Sequence, residues 1–179
     1  MSAGQTIAVT GAAGAYGGDV IQLAKADGQT VIADASEADE ELIASLGADI
    51  IVRRGDDVAA RIREHCPDGV DGLAEGAAQK ELVTPAVRDG GAFTSVRGFQ
   101  GVAQRGIKFT TTFVRAYENE FKKIDRLRQL AEAGAITLCV ADAYRAENAG
   151  MPTGGWKPAG RVGGWLLSFE SGVGAGFSV

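Results

Sequence analysis

A chain of 179 residues, 45% hydrophobic and 23% charged, is long enough to bury one substantial core, and its length fits a single domain with a tail. Its net charge of −5 argues against general nucleic-acid binding, which requires a basic face. No leader pattern and no run of about 18 apolar residues is present, so neither secretion nor a membrane span is indicated. The two cysteines, Cys66 and Cys139, stand far apart and lack C-x-x-C partners, and the single histidine, His65, completes no metal cluster with them. Reduced thiols and a cytoplasmic protein are expected.

The elements read in chain order as strands alternating with helices. A short apolar run, Thr6 to Thr10, is followed by small residues and then an amphipathic pattern, Val20 to Lys25, which Asp27-Gly28-Gln29 stops. Thr30 to Asp34 is the second strand. Ser36 then caps a helix from Glu37 to Leu46, acidic in its first turn as the helix dipole prefers. Ile50 to Val52 is a buried third strand. Asp56 or Asp57 caps a helix from Val58 to His65, and Pro67-Asp68-Gly69 ends it. Val70 to Glu75 is the fourth strand, and Gln79 to Val87 is a helix despite Pro85. The fifth strand, Ala92 to Val96, follows the turn Asp89-Gly90-Gly91. The sixth runs from Ile107 to Val114. The longest helical pattern, Tyr117 to Ala133, places Phe121, Ile124, Leu127 and Leu130 on one stripe, and Ile136 to Val140 is a last extended run. Such alternation gives an α/β fold, a doubly wound parallel sheet with helices on both faces.

The stretch between the first strand and first helix carries the functional signal. It reads Gly11-Ala12-Ala13-Gly14-Ala15-Tyr16-Gly17-Gly18, in which Gly14 and Gly17 take the last two glycine places of a G-x-G-x-x-G and Ala12 takes the first. Small residues let a backbone approach a pyrophosphate, and amides at a helix start favour its negative charge. Asp34, at the end of the second strand, stands where an acid accepts hydrogen bonds from an adenosine ribose. A tight turn with no ligand, and a merely polar strand end, are the competing readings.

Thr10 to Gly17 with Gln22-Leu23-Ala24-Lys25, then Leu46-Gly47-Ala48-Asp49, Gly69-Val70-Asp71-Gly72 and Asp89-Gly90-Gly91-Ala92-Phe93, together resemble the medium-chain dehydrogenase/reductases, and among them the zinc-independent quinone oxidoreductase-like branch. The resemblance spans about residues 4 to 149. It implies a Rossmann domain with sheet order 3-2-1-4-5-6 and an NAD(P)H site, with no metal. Gly11, Ala13 and Gly17 would form the turn, with Gly14, Ala15 and Tyr16 along the pyrophosphate. Gly76, Ala77, Ser95 and Val96 would approach the nicotinamide ribose, and Phe113 and Val114 the nicotinamide. It also implies homodimers paired through the sixth strand, which would hide an open edge.

Two departures qualify what the resemblance implies. Family members carry a GroES-like catalytic domain before this one. The sequence starts five residues ahead of the Rossmann strand, so a missing catalytic domain or chain is expected, and no catalytic residue is assigned. Hydride transfer needs substrate and cofactor held together away from water. The expected function is the cofactor-binding half of an NAD(P)H-dependent quinone or enone reductase; the alternative is a stand-alone dinucleotide-binding or sensing module. The second departure is the tail, residues 150–179, which holds nine of the glycines and both tryptophans. Freely chosen codons for Gly150 to Glu170, read one base earlier, can encode a family-like ending, so a frame-shifted tail is one expectation and a tryptophan-anchored extension the other.

Between the cofactors the residues pull in opposite directions. An ionised Asp34 favours NAD, whereas the resemblance favours NADPH, toward whose 2′-phosphate Ser36 and Arg53 or Arg54 could turn. NADPH is the expectation. The short-chain dehydrogenases share the fold and need no second domain, but their Tyr-x-x-x-Lys pair is absent: Tyr16, Tyr117 and Tyr144 are followed four residues on by Val20, Phe121 and Asn148. The basic residues around Arg115 to Arg128 alternate with acids and read as ion-paired surface.

Overall fold

In a computed structural model, residues 1–99, 101–137, 140–145 and 164–168 are described. The chain divides into two compact units, Met1–Leu138 and Cys139–Val179. The first contains a six-stranded sheet, all of it parallel, in the order β3-β2-β1-β4-β5-β6. Its strands are β1 (Thr6–Thr10), β2 (Thr30–Ala35), β3 (Ile50–Arg53), β4 (Val70–Glu75), β5 (Val87–Ser95) and β6 (Lys108–Thr111). The α/β class and the strand order expected from the sequence are those found. In the second unit, β7 (Val140–Arg145) pairs in parallel with β8 (Gly164–Ser168). The proposed start of the tail at residue 150, and its frame, lie outside the described residues.

The central strands β1 and β2 are mostly apolar and buried on both faces of the sheet, and successive side chains divide between those faces. Ala8 of β1 and Ile32 of β2 join one core with Val58 and Ile62 of α3 (Val58–His65), Leu73 and Phe93. Their neighbours Ile7, Val9, Val31 and Ala33 face the other way, onto Ile21 of α1 (Ala15–Ala26) and Ile43 of α2 (Glu40–Ser45). Phe93, Phe99 and Phe109 meet at centroid separations of 5.3 to 5.9 Å, mostly edge to face.

Several elements differ from the sequence reading. The second helix begins at Glu40, with Asp39 at its N-cap, because Ser36 donates its hydroxyl to the Asp39 carboxylate and accepts no helix amide. Asp57 occupies the N-cap of α3, but its carboxylate takes Arg61 instead. The expected helix from Gln79 to Val87 is two 3-10 turns, Lys80–Leu82 and Thr84–Ala86. Pro85 supplies no amide hydrogen, and left-handed backbone at Ala78 and Lys80 interrupts the approach. Strand β5 starts at Val87, and the register against β4 shifts between Val70 and Gly72, accommodating the Asp89-Gly90-Gly91 segment within the ladder. Strand β6 is shorter than expected and leads into a 3-10 turn, Val114–Tyr117; the last long helix, α4, spans Phe121–Glu132. Its stripe faces solvent: Phe121 is 70% exposed and Ile124 52%.

Candidate functional site

The strand order reverses between β1 and β4, and the crevice outside the carboxyl ends of those strands is where sheets of this topology hold ligands. Register sets Thr10 beside Glu75, so the turn after β1 faces the turn after β4. The approach is close. A Cβ on Gly11 would lie 2.8 Å from the carbonyl carbon of Gly76 and 2.9 Å from the amide nitrogen of Ala77, and the backbone at Gly11 is left-handed, with φ of 68°. The turn closes on itself through the Gly14 amide, which donates to the Gly11 carbonyl at 3.0 Å. Gly14 occupies the N-cap of α1 with no side-chain acceptor, leaving the first-turn amides available. Gly17 is buried one turn later, where a Cβ would lie 2.4 Å from the Gly11 carbonyl oxygen.

A cavity of about 340 Å³ opens at this place, lined by the turn Gly11 to Gly14, by Asp34, Ala35 and Ser36 after β2, by Asp39 and Arg54, and by Gly76 and Ala77. A neighbouring cavity of about 390 Å³ shares Ser36 and Arg54 with it and adds Arg53, Glu37 and Ala38. Asp34 is 4% exposed. Its Oδ1 accepts the Ala12 amide at 3.0 Å, so the carboxylate braces the turn from behind. Burial raises its pKa above the ordinary carboxylate value, against the opposing pull of the Ala12 and Gly11 amides and of Arg54. Arg53 is paired with Glu37 at 3.2 Å, both exposed.

The residues singled out in the sequence fall into two groups. Gly11, Ala13, Gly14, Asp34, Ser36, Gly76 and Ala77 converge on the first cavity. The others do not line it, although Gly17 packs directly behind the turn. Tyr16 lines a separate apolar groove with Val20, Leu23, Leu73 and Phe93. Burial, with the charge of Glu75 as a second cause, raises the pKa of its phenol. Ala15 opens α1. Ser95 is fully buried, Val96 and Phe113 are exposed, and Val114 begins a 3-10 turn. Arg54, offered by the sequence together with Arg53 as a partner for a 2′-phosphate, lines both cavities. Asp39 and Glu75 were not singled out, and Glu75 had only its place at the end of β4. Among the described residues no group of three or more His, Cys, Asp and Glu side chains could hold a metal ion, and no helix is long and apolar enough to cross a membrane.

No family model matches the chain. Among curated proteins, the 2-methylene-furan-3-one reductase of Solanum lycopersicum is 34% identical over 114 residues, 63% of this chain and 28% of that enzyme. A mycobacterial protein solved in complex with NADPH superposes with a TM-score of 0.78 at 22% identity, over 93% of this chain and 57% of its own. The quinone oxidoreductase of Pseudomonas syringae pv. Tomato gives 0.75 at 19% identity, again over 93% and 57%. At these identities the likeness between the structures is one of fold. The chain thus spans little more than half of each structure and under a third of the tomato enzyme. The resemblance read from the sequence is borne out as a likeness to oxidoreductases over part of their length.

Proposed function

We propose that this chain, corresponding to the nucleotide-binding half of a quinone oxidoreductase-like medium-chain reductase, binds NADP(H) at the carboxyl ends of β1, β2 and β4. The glycine cradle supports the reading: side chains at Gly11 and Gly17 would fill backbone space, and the first-turn amides of α1 suit a pyrophosphate. Asp34 would meet the adenosine ribose, with one of its oxygens already held by the Ala12 amide. The carrying observation is the pair of cavities that meet at Ser36 and Arg54. A 2′-phosphate there would find a guanidinium, whereas the charge of Asp34 is buried and partly offset by amides and by Arg54. When bound, the cofactor supplies hydride at its nicotinamide. This chain binds and orients it, and a catalytic partner domain presents a quinone, an enone or another conjugated carbonyl. Ala15 and Tyr16 support the pyrophosphate side, and Ser95, Val96, Phe113 and Val114 the nicotinamide side.

Titration of the protein with NADPH and NADH tests the assignment. NADPH is expected to bind more tightly. Arg54→Ala should weaken NADPH about tenfold, the worth of one charge-assisted contact, and leave NADH nearly unchanged. Equal affinities for the two cofactors in the unmodified chain would refute the phosphate subsite, and no binding of either would refute the function.

A further inference from the structure

Glu75 is a buried acid that the proposed binding scheme leaves unused. It ends β4, directly before Gly76 of the cavity wall, and its side chain is inaccessible to solvent. Both oxygens are engaged. Oε1 accepts the Gln79 amide at 2.9 Å, and Oε2 accepts the Ser95 hydroxyl at 2.9 Å. Ser95 Oγ in turn accepts the Arg97 amide at 3.1 Å. One carboxylate therefore ties the turn after β4 to the end of β5, the two segments that flank the nicotinamide ribose on the reading above. All of these donors are neutral: among the described residues, no lysine, arginine or histidine forms a salt bridge with Glu75. A charge so placed acts through a medium of lower dielectric than water.

The two redox forms of the cofactor differ at the nicotinamide, which carries a positive charge when oxidised and none when reduced. We propose that Glu75 is a positioning residue of the nicotinamide end, and that its buried negative charge weights binding toward the oxidised cofactor. The inference rests on the nucleotide site proposed above. Glu75 clips the two loops, and its charge separates the affinities of the two redox forms. A purely structural clip would change both affinities together.

The test is the ratio of dissociation constants for NADP⁺ and NADPH, measured by calorimetry on the unmodified chain, Glu75→Gln and Glu75→Asp. Glutamine can keep both links, accepting from Gln79 and donating to Ser95, while removing the charge. The expected result is a loss of NADP⁺ affinity relative to NADPH of about fivefold or more, its direction set by the loss of one attractive charge. Aspartate keeps the charge on a shorter arm, so both forms should weaken with a ratio within about twofold of the original. An unchanged ratio in a folded, binding Glu75→Gln overturns the proposal while leaving the nucleotide site standing. Should the glutamine variant not fold, Glu75→Ser, which also removes the charge, decides: a comparable loss of NADP⁺ affinity relative to NADPH supports the proposal, and an unchanged ratio overturns it. An unmodified chain that binds neither form overturns the site and this inference with it.

Discussion

Gly17 and Gly18 are consecutive residues of α1, and an added methyl group has different consequences at each. On Gly17 it would lie 2.4 Å from the Gly11 carbonyl oxygen, 2.6 Å from Ala12 Cα and 2.9 Å from the Ala12 carbonyl oxygen. All three are backbone atoms of the glycine turn, so relief requires the helix to shift away from the turn. On Gly18 it would lie 3.2 Å from Leu46 Cδ1, the end of a side chain that can rotate aside. Alanine gains about 1 kcal/mol over glycine in a helix, equally at both sites. Overpacking costs roughly 1–3 kcal/mol, and rigid neighbours put Gly17→Ala at the upper end. The net expectation is a loss of about 2 kcal/mol for Gly17→Ala, or roughly 4–8 °C in Tm for a chain of this size, and little change or a gain for Gly18→Ala. Circular dichroism melts of the two variants beside the unmodified chain measure it, and NADPH titration of the same samples should show weaker binding only for Gly17→Ala. A Gly17→Ala protein that melts with Gly18→Ala, or above the unmodified chain, would refute the account of a turn packed against the helix start.

The remaining expectations concern charge and core. The raised pKa of Asp34 means that the folded chain holds this proton more tightly than the unfolded one. Its contribution to stability is therefore greatest below the ordinary carboxylate range and is lost as pH rises through the raised value. Denaturant midpoints from acid to neutral pH should lose that component in Asp34→Asn, and parallel profiles for the two proteins would contradict the assignment. Phe93, 1% exposed and packed on Phe99 and Phe109, should cost about 3–5 kcal/mol when replaced by alanine, measured by denaturant unfolding. Phe121→Ala on the exposed face of α4 should stay within about 0.5 kcal/mol of the original, and a comparable loss at the two positions would mean that this face is buried in solution.

Most of the parallel sheet was legible because its strands are short apolar runs punctuated by glycine, and two of them, Thr6–Thr10 and Val70–Glu75, have the boundaries expected. The glycine turn was legible because close backbone approach leaves room for little else. What local pattern did not reveal was which partner each polar side chain would choose. Ser36 and Asp57 were placed as caps by residue type, but Asp39 and Arg61 compete for them once the chain is folded. The segment 79–87 has helical spacing, yet its ends are fixed by the Glu75 bond to Gln79 and by the early start of β5, and two 3-10 turns span what remains. Asp34 was placed correctly at the strand end, but its bond to the Ala12 amide is a contact across the turn that sequence spacing does not encode. Glu75 passed unremarked for a similar reason. A single acid ending an apolar strand looks like a boundary residue until Ser95 and Gln79 are seen to enclose it.

The all-parallel ladder also orders events in time. No pair in the main sheet can close as a hairpin, and β1 must recruit both neighbours from a distance: Ile7 meets Val31 on one side and Gly72 on the other. As the chain emerges from its N-terminus, β1, β2 and β3 can pair before β4 has been made. The glycine fingerprint then exists with only one wall. Gly76 and Ala77 arrive when β4 docks against β1, and with them the second wall of the crevice. On the proposed reading, ligand capture would be a late folding event, and a nascent or half-unfolded chain carries the motif without the second wall of the crevice.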